Sequence, residues 1–167
     1  LYSTASPLYN LKNLYLNGEP IGDLVFPDTI DKLSNYSFRN CTNLTSLVIP
    51  GTITSTPKYA FYGCTSLTNL VLESGVKSLG SYAFAGCTKL ESVTIPQTLS
   101  STGNNAFQTS TAIKSVYITD MEAWQNMERG NAYSKPTCYG ASLYLNGAEV
   151  LERTFWEDIG VGECNDS

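Results

Sequence analysis

Histidine is absent from this chain of 167 residues, and charged residues make up only 15% of it. Without histidine, the commonest general base and the commonest zinc ligand are both missing. No run of about 18 or more apolar residues occurs, so the sequence contains no stretch with the length of a membrane-spanning helix. Hydrophobic residues still account for 42% of the chain, which is enough for one folded core.

Clustered positive charge is missing as well. The net charge is -5, and the excess of acid lies at the C-terminus, where residues 148–167 hold six acidic residues and Arg153 as their single base. The sequence pI is about 4.6. Nucleic-acid binding is driven by the release of counterions from phosphates and needs clusters of Lys and Arg. We therefore expect no nucleic-acid partner.

Two pairs of carboxylates are close enough in sequence to be considered for acid–base catalysis: Asp28 with Asp31, and Asp120 with Glu122. Both pairs lie in predicted turns or at a predicted helix start, where such side chains cap backbone N–H groups. We therefore predict no catalytic residue, no metal site and no cofactor.

The chain does contain a gapless repeat of 23 residues that starts at Leu24. Four repeats are assigned to residues 24–118, and four of the six phenylalanines fall in one column of the alignment. A fixed period of this length indicates a solenoid, in which each repeat forms one coil. The aligned apolar columns are Phe38, Phe61, Phe84 and Phe107; Leu44, Leu67, Leu90 and Ile113; Leu47, Leu70, Val93 and Val116; Phe26, Ile49, Leu72, Ile95 and Ile118; and Ile30, Ile53, Val76 and Leu99.

Each repeat contains a stretch in which apolar and polar positions alternate, as in residues 46–49. Alternation with a period of two predicts a short strand, and the repeat predicts one parallel strand for each coil. A single repeat buries about six apolar side chains, at about 1.5 to 3 kcal/mol each. Ordering the backbone costs about 1 to 2 kcal/mol for each of about 23 residues. One repeat therefore cannot fold alone, and neighbouring coils must stack on one another.

The phrase A-F-x-x-C-x-x-L recurs, as AFYGCTSL at residues 60–67 and as AFAGCTKL at residues 83–90. It resembles the BspA-like leucine-rich repeats. The resemblance implies a β-rich leucine-rich-repeat solenoid, with one short parallel strand for each 23-residue repeat and an irregular or 3-10 opposite side. Glu73, Asn105 and Ser110 depart from the pattern, at positions where proline, tyrosine and cysteine recur.

The segments that flank the repeats resemble each other, because residues 14–18 and 143–147 both read L-Y-L-N-G. Asn-Gly between apolar residues predicts a type I′ hairpin, since both central residues of that turn need positive φ. We predict that residues 1–23 form an N-terminal capping hairpin, as part of a module that continues upstream.

A short helix is predicted after the last repeat. Asp120 is placed to cap it, and Met121, Trp124 and Met127 follow on one side. We predict that this helix and the second hairpin cap the C-terminal end of the core in residues 119–150. Residues 151–167 are predicted to be a poorly ordered acidic tail.

Three of the five cysteines, Cys41, Cys64 and Cys87, occupy one column of the repeat. Zinc sites use closely spaced pairs of ligands, which this spacing does not provide. We predict that these thiols are buried, reduced and structural. Cys138 and Cys164 are candidates for a disulfide in an oxidising compartment.

The outward positions of the predicted strands are the candidate binding site, since solenoids commonly bind through such an extended face. The alternative interpretation is that small Ser and Thr side chains only allow close packing of the strands. The candidate ligand-binding residues are Ser46, Val48, Asn69, Val71, Ser92, Thr94, Ser115 and Tyr117.

A second aligned row contains Tyr36, Tyr59 and Tyr82. We predict that their rings pack against one another as a half-buried ladder. Arg39 and Tyr62 are predicted to be freer of such packing than the tyrosines of this ladder.

The resemblance to the BspA-like family implies a bacterial surface or secreted protein that adheres to host matrix proteins or to other cells. We therefore predict a non-catalytic protein-binding or adhesion module, located outside the cell or on its surface, whose partner is a host matrix protein or another surface protein. This segment is not expected to insert into a membrane. Two alternatives stay open: a passive spacer, and a carbohydrate-binding module that uses some of the 11 tyrosines and two tryptophans.

Overall fold

The computed structural model describes residues 13–150 of the chain. Predictions made for residues 1–12 and for the acidic tail at residues 151–167 lie outside these described residues. Within residues 13–150, no helix is both long enough and apolar enough to cross a membrane.

Short strands dominate the chain. In order along the sequence, the elements are β1 Tyr15–Leu16, β2 Glu19–Pro20, β3 Asp23–Val25, β4 Ser46–Ile49, β5 Ser55–Thr56, β6 Asn69–Leu72, β7 Ser78–Leu79, β8 Ser92–Ile95, β9 Ser101–Thr102, β10 Ser115–Ile118, helix α1 Met121–Asn126, β11 Glu128–Arg129, the 3-10 helices Ala132–Ser134 and Pro136–Tyr139, β12 Ser142–Leu145 and β13 Ala148–Glu149.

Seven strands from the described residues form the main sheet, in the order β13-β12-β10-β8-β6-β4-β3. All neighbours from β3 to β12 are parallel, and β13 pairs antiparallel with β12. Leu47 pairs with Leu70, and Leu70 pairs with Val93, so the register advances by one repeat at each step. The leucine-rich-repeat solenoid with one short parallel strand for each repeat is therefore confirmed.

The opposite side of the coils is more regular than the sequence predicted. The two-residue strands β5, β7, β9 and β11 form a second parallel sheet. In each of the first three strands the second residue is buried: Thr56, Leu79 and Thr102. Two residues of the Ser-Thr or Ser-Leu type are too short to show a period, which explains why the sequence indicated only an irregular segment.

The predicted columns form the core between the two sheets, with one exception. Ile30 was predicted to be in the core but is 36% exposed, because it lies in the first coil, which contributes no strand to the second sheet. Phe61, Phe84 and Phe107 are completely buried. Their rings stack nearly parallel, with centroids 5.3 Å apart between Phe61 and Phe84 and 5.7 Å apart between Phe84 and Phe107. Because each ring stacks on a ring of an adjacent coil, the stack links coils that are 23 residues apart in sequence.

Backbone hydrogen bonds also join the coils at the turn before each Phe position. The N–H groups of Phe38, Phe61 and Phe84 donate to carbonyl oxygens one coil further on, at distances of 2.7 to 2.9 Å. These turns have positive φ at the same repeat position, with Tyr59 at 58° and Asn105 at 59°. Asn tolerates this left-handed conformation well, so Asn105 is compatible with a column that otherwise holds tyrosine.

Both Asn-Gly hairpins are present. Asn17 and Gly18 have φ values of 53° and 87°, and Asn146 and Gly147 have values of 50° and 85°, as the type I′ turn requires. The β1–β2 hairpin is joined to the first coil by Asn43, whose amide bonds both the N–H group (2.9 Å) and the carbonyl oxygen (2.8 Å) of Leu14. The second hairpin differs, because its first strand, β12, continues the main sheet.

Helix α1 begins as predicted. The Asp120 carboxylate accepts a hydrogen bond of 2.8 Å from the N–H of Ala123, and Trp124 and Met127 are buried. The sequence did not reveal the partner at the other end of the helix, which is Arg129. Its guanidinium group donates to the carbonyl oxygens of Trp124 and Gln125 and lies 5.2 Å from the Trp124 ring centroid. A cation at this end stabilises the free carbonyl groups of the last turn.

Candidate functional site

The outward face of the main sheet holds all eight candidate residues. In β4, β6 and β8 the side chains alternate between half-buried outward positions and buried inward positions. In β10 the alternation is the same, and Tyr117 reaches 38% exposure. The strands therefore present two parallel rows of side chains to solvent, one row of small polar residues and one row that is mainly apolar.

The mainly apolar row extends beyond the candidate residues at both ends. Strand register adds Val25 before Val48 and Tyr144 after Tyr117. We call this set the outer row; its members are Val25, Val48, Val71, Thr94, Tyr117 and Tyr144. At about 4.8 Å between neighbouring strands, six positions span about 24 Å. The 23-residue period alone would have indicated Val25, whereas Tyr144 required knowledge that β12 pairs with β10.

The two ends of the outer row differ in character. Val25 lies on the edge strand β3 and is 67% exposed. At the other end, the rings of Tyr117 and Tyr144 stack with their centroids 5.0 Å apart. Stacking fixes the two rings in one place, so both can bury area against a partner with little further loss of side-chain entropy.

The polar row lies next to the outer row and consists of Asp23, Ser46, Asn69, Ser92, Ser115 and Ser142. Its side chains are short, and some bond one another: the Ser92 hydroxyl donates to the Asn69 carboxamide oxygen at 2.8 Å. Short side chains of this kind leave the larger groups of the outer row accessible. The face can therefore offer apolar contacts along one line and hydrogen bonds along the line beside it.

The cysteine column points into the core, and its predicted burial is confirmed. Cys64 and Cys87 are free thiols with no exposed surface. Burial raises the pKa of the Cys87 thiol to about 12 and raises the pKa of Cys64 well above its usual range. A thiol that stays protonated is a poor nucleophile and a poor metal ligand. Among residues 13–150, no group of three or more His, Cys, Asp or Glu side chains is arranged to hold a metal ion.

Hydrogen bonding gives the cysteine column its structural role. The Cys64 thiol donates to the Phe38 carbonyl oxygen at 3.2 Å, and the Cys87 thiol donates to that of Phe61 at 3.4 Å. In the last repeat the hydroxyl of Ser110 donates to the Phe84 carbonyl oxygen at 2.8 Å. Cysteine and serine therefore do the same task at this position, which explains the departure of Ser110 from the pattern.

Cys138 lies apart from this column and is disulfide-bonded. The partner that the sequence suggests, Cys164, lies outside the described residues. The sequence-based pairing of these two cysteines therefore stays a prediction.

The tyrosine ladder forms as predicted. The ring centroids of Tyr36 and Tyr59 are 5.1 Å apart and those of Tyr59 and Tyr82 are 4.8 Å apart, in nearly parallel planes. The prediction that Arg39 and Tyr62 are freer is wrong. The Arg39 guanidinium carbon lies 5.7 Å from the Tyr36 ring centroid and 5.3 Å from that of Tyr62, and both Arg39 and Tyr62 are half-buried. The flat guanidinium group packs against the rings because it is weakly hydrated.

Two solved structures share this fold. A leucine-rich repeat protein from Bacteroides ovatus ATCC 8483 is 24% identical with a TM-score of 0.50, covering 63% of this chain and 26% of its own. A leucine-rich cell surface protein from Faecalibacterium prausnitzii A2-165 is 21% identical with a TM-score of 0.52, covering 65% of this chain and 35% of its own. This chain thus spans about a quarter to a third of those proteins, and the likeness concerns the fold.

A search of curated proteins finds no relative of this sequence. The profile of the BspA type leucine-rich repeat region, in contrast, matches residues 11–128 in six copies. The matched range includes the cysteine and phenylalanine columns, and it covers well over half of the chain. The chain therefore belongs to the family of BspA-type leucine-rich repeat proteins.

Proposed function

We propose that this chain is a protein-binding or adhesion module of a bacterial cell-surface protein, and that it binds its partner through the outward face of the main sheet. The observation that carries the proposal is the outer row, a continuous line of mainly apolar side chains held at the solvent surface of a sheet. Apolar side chains in a row across several strands mark interaction surfaces more often than single exposed residues do.

The geometry favours binding to another protein. Val48 and Val71 are β-branched and stand on hydrogen-bonded strands, so they have little conformational freedom to lose on binding. The Tyr117 and Tyr144 rings can act as larger anchors at one end of the row. Ser and Asn side chains of the polar row can supply hydrogen bonds beside these contacts.

A small module of this kind binds its partner more tightly when several copies act together. If the native protein presents further solenoid blocks, weak contacts along each block add up through avidity. The chain covers 26% and 35% of the two structural neighbours, which are larger proteins of the same fold. One neighbour is described as a cell surface protein, and this supports an extracellular or surface location for the present chain.

The test uses a variant in which Val71→Glu and Tyr117→Glu place two charges on the outer row. A matched control, Thr54→Glu with Thr65→Glu, adds the same charge at two exposed positions outside the outward face. Immobilised extracellular matrix proteins are the probe, and affinity is measured by surface plasmon resonance together with urea unfolding. We expect the outer-row variant to lose at least tenfold in affinity for any matrix protein that binds the wild type, with its stability preserved.

The control variant is expected to bind as the wild type does. If both variants bind as well as the wild type, the outward face is not the site. If the wild type binds no matrix protein in a saturable manner, the passive spacer becomes the better account of the chain. A glycan array run in parallel tests the carbohydrate-binding alternative, which predicts saturable binding of a defined sugar.

A further inference from the structure

The two Asn-Gly hairpins are copies of one element. Residues 13–21 and 142–150 align without a gap, and in both the residue after the second strand closes the hairpin. The N–H of Ile21 donates to the carbonyl oxygen of Leu14, and the N–H of Val150 donates to that of Leu143, both at 2.8 Å. What binds one hairpin therefore indicates what can bind the other.

The second hairpin is docked on the last repeat. The edge of β12 that faces away from β13 pairs in parallel with β10. Across this edge, the N–H groups of Ser142 and Asn146 donate to the carbonyl oxygens of Lys114 and Ile118 at 2.9 and 3.0 Å. Leu143, which lies between these two donors, has no exposed surface. The pairing therefore satisfies the backbone of this edge and completes the core beneath it.

The equivalent edge of β1 has no strand beside it among residues 13–150, because there β1 pairs with β2 alone. The backbone groups of Leu14 face β2 and the first coil, where they bond Ile21 and Asn43. Successive residues of a strand direct their N–H and C=O groups to opposite edges. Those of Asn13 and Asn17 therefore face the edge away from β2, as their equivalents in β12 do.

Two side chains of the first hairpin lack the burial that their equivalents have. Leu14 is half-buried, whereas Leu143 has no exposed surface. Tyr15 is 61% exposed, whereas its equivalent Tyr144 stacks on the Tyr117 ring. In the second hairpin this cover comes from the coil that contains β10. Within the described residues, the first hairpin therefore lacks the cover of one coil.

The sequence protects one edge of the first hairpin and not the other. Exposed strand edges in natural proteins usually carry charged residues or proline, which discourage pairing with another strand. Strand β2 has both, Glu19 and Pro20, whereas residues 13–17 read N-L-Y-L-N and contain neither. The free edge of β1 thus has the composition of a strand inside a sheet.

We propose that the free edge of β1 is the docking surface for the last coil of another leucine-rich solenoid block, one that precedes this hairpin. The terminal strand of that block pairs with β1 in parallel, as β10 pairs with β12. Asn13 and Asn17 then donate to two of its carbonyl oxygens. Leu14 becomes fully buried, and Tyr15 stacks on the ring at the position of Tyr117. The two blocks form one continuous sheet.

A second copy of this chain is not the partner, because its own β10 is already paired with β12. The partner has to end in an uncovered parallel strand, as a solenoid block without a terminal hairpin does. The proposal is independent of the binding function proposed above, because it concerns the edge of the sheet, while that function concerns its outward face.

The first experiment measures amide hydrogen exchange in the full chain, residue by residue, by NMR. We expect the N–H groups of Asn13 and Asn17 to exchange at least about tenfold faster than those of Ser142 and Asn146, which are bonded to β10. Equal protection of the two pairs would show that the chain already covers its own edge, and would overturn the proposal.

The second experiment supplies the missing coil from the protein's own sequence. In the spliced tandem, residues 1–141 are followed directly by residues 13–167, so that Asn13 of the second block takes the place of Ser142 after Ala141. The peptide that spans this junction occurs once in the protein, so mass spectrometry follows exchange there alone. We expect it to exchange at least about tenfold more slowly than residues 13–17 of the single chain.

A capped tandem is the matched control. It joins residues 1–167 to residues 13–167, so the first block keeps its own β12 and its β10 stays covered. We expect the peptide that spans its junction to exchange as fast as the single chain does. Slow exchange in both tandems would attribute the protection to tethering. Fast exchange in the spliced tandem, or failure of that protein to fold, would show that β1 cannot replace β12. Each of these three results would contradict the proposed docking.

Discussion

Leu70 and Val71 are neighbours in strand β6, yet they have different surroundings. Leu70 is completely buried in a column with Leu47, Val93, Val116 and Leu143, whereas Val71 is half-exposed in the outer row. The inward column accepts only Leu and Val, and the outer row varies from Val through Thr to Tyr. Packing against the next coil restricts the first set, whereas the half-exposed positions of the outer row are not restricted in this way.

The tyrosine ladder lies between these two extremes. Its rings are half-buried and stack on one another, but the ladder ends in Asn105, whose amide donates to the Tyr82 hydroxyl at 2.6 Å. Contacts between neighbouring coils stabilise it, as they do the core, while its partial exposure allows a polar substitute. The side chains therefore fall into three groups: the inward columns, the intermediate tyrosine ladder and the outward rows.

The largest difference in stability is expected between substitutions at two adjacent residues, Leu70 and Val71. Leu70→Ala leaves a cavity in the core and is expected to lower the free energy of unfolding by about 2 to 5 kcal/mol. Val71→Ala removes a half-exposed side chain and is expected to cost less than about 1 kcal/mol. Urea unfolding followed by circular dichroism measures both. Equal losses would show that the two faces of the strand do not differ in the way described.

An intermediate effect is expected in the ladder. Tyr59→Ala removes a ring that stacks on two neighbours and puts Ala at a φ of 58°, so we expect a loss of about 2 kcal/mol. Tyr59→Phe keeps the ring and serves as the matched control, with an expected change of less than about 0.5 kcal/mol. Thermal unfolding compares the two variants. A loss in Tyr59→Phe as large as in Tyr59→Ala would argue against ring stacking as the cause.

A smaller effect is expected in the cysteine column. Cys87→Ala removes the donor to the Phe61 carbonyl oxygen and is expected to cost about 1 kcal/mol. Cys87→Ser keeps a donor, as Ser110 does one coil further on, and is expected to cost about half as much. Denaturant unfolding under reducing conditions measures the difference. If Ser destabilises more than Ala, the column is selected for apolar volume and not for hydrogen bonding.

The inward columns could be predicted from the sequence because core packing repeats every 23 residues without a gap. The outward rows followed from the alternation of side chains along each strand. Other features carry no periodic signal. A tyrosine in the sequence gives no indication of the positive φ found at Tyr59. The contact of Arg39 with Tyr62 depends on two coils meeting in space, and the contacts of Arg129 depend on how the chain turns after helix α1. The second sheet was missed because its strands have only two residues each.

The most direct test of the account asks whether a partner covers the outer row. Val71→Cys introduces a thiol there, and a maleimide label is applied to the native protein before and after saturation with a matrix protein that binds the wild type. Cys64 and Cys87 stay unlabelled in the folded chain because they are buried and protonated. We predict rapid labelling of residue 71 that the bound partner slows by at least tenfold. Labelling at the same rate with and without the partner would contradict the claim that the outward face is the binding site.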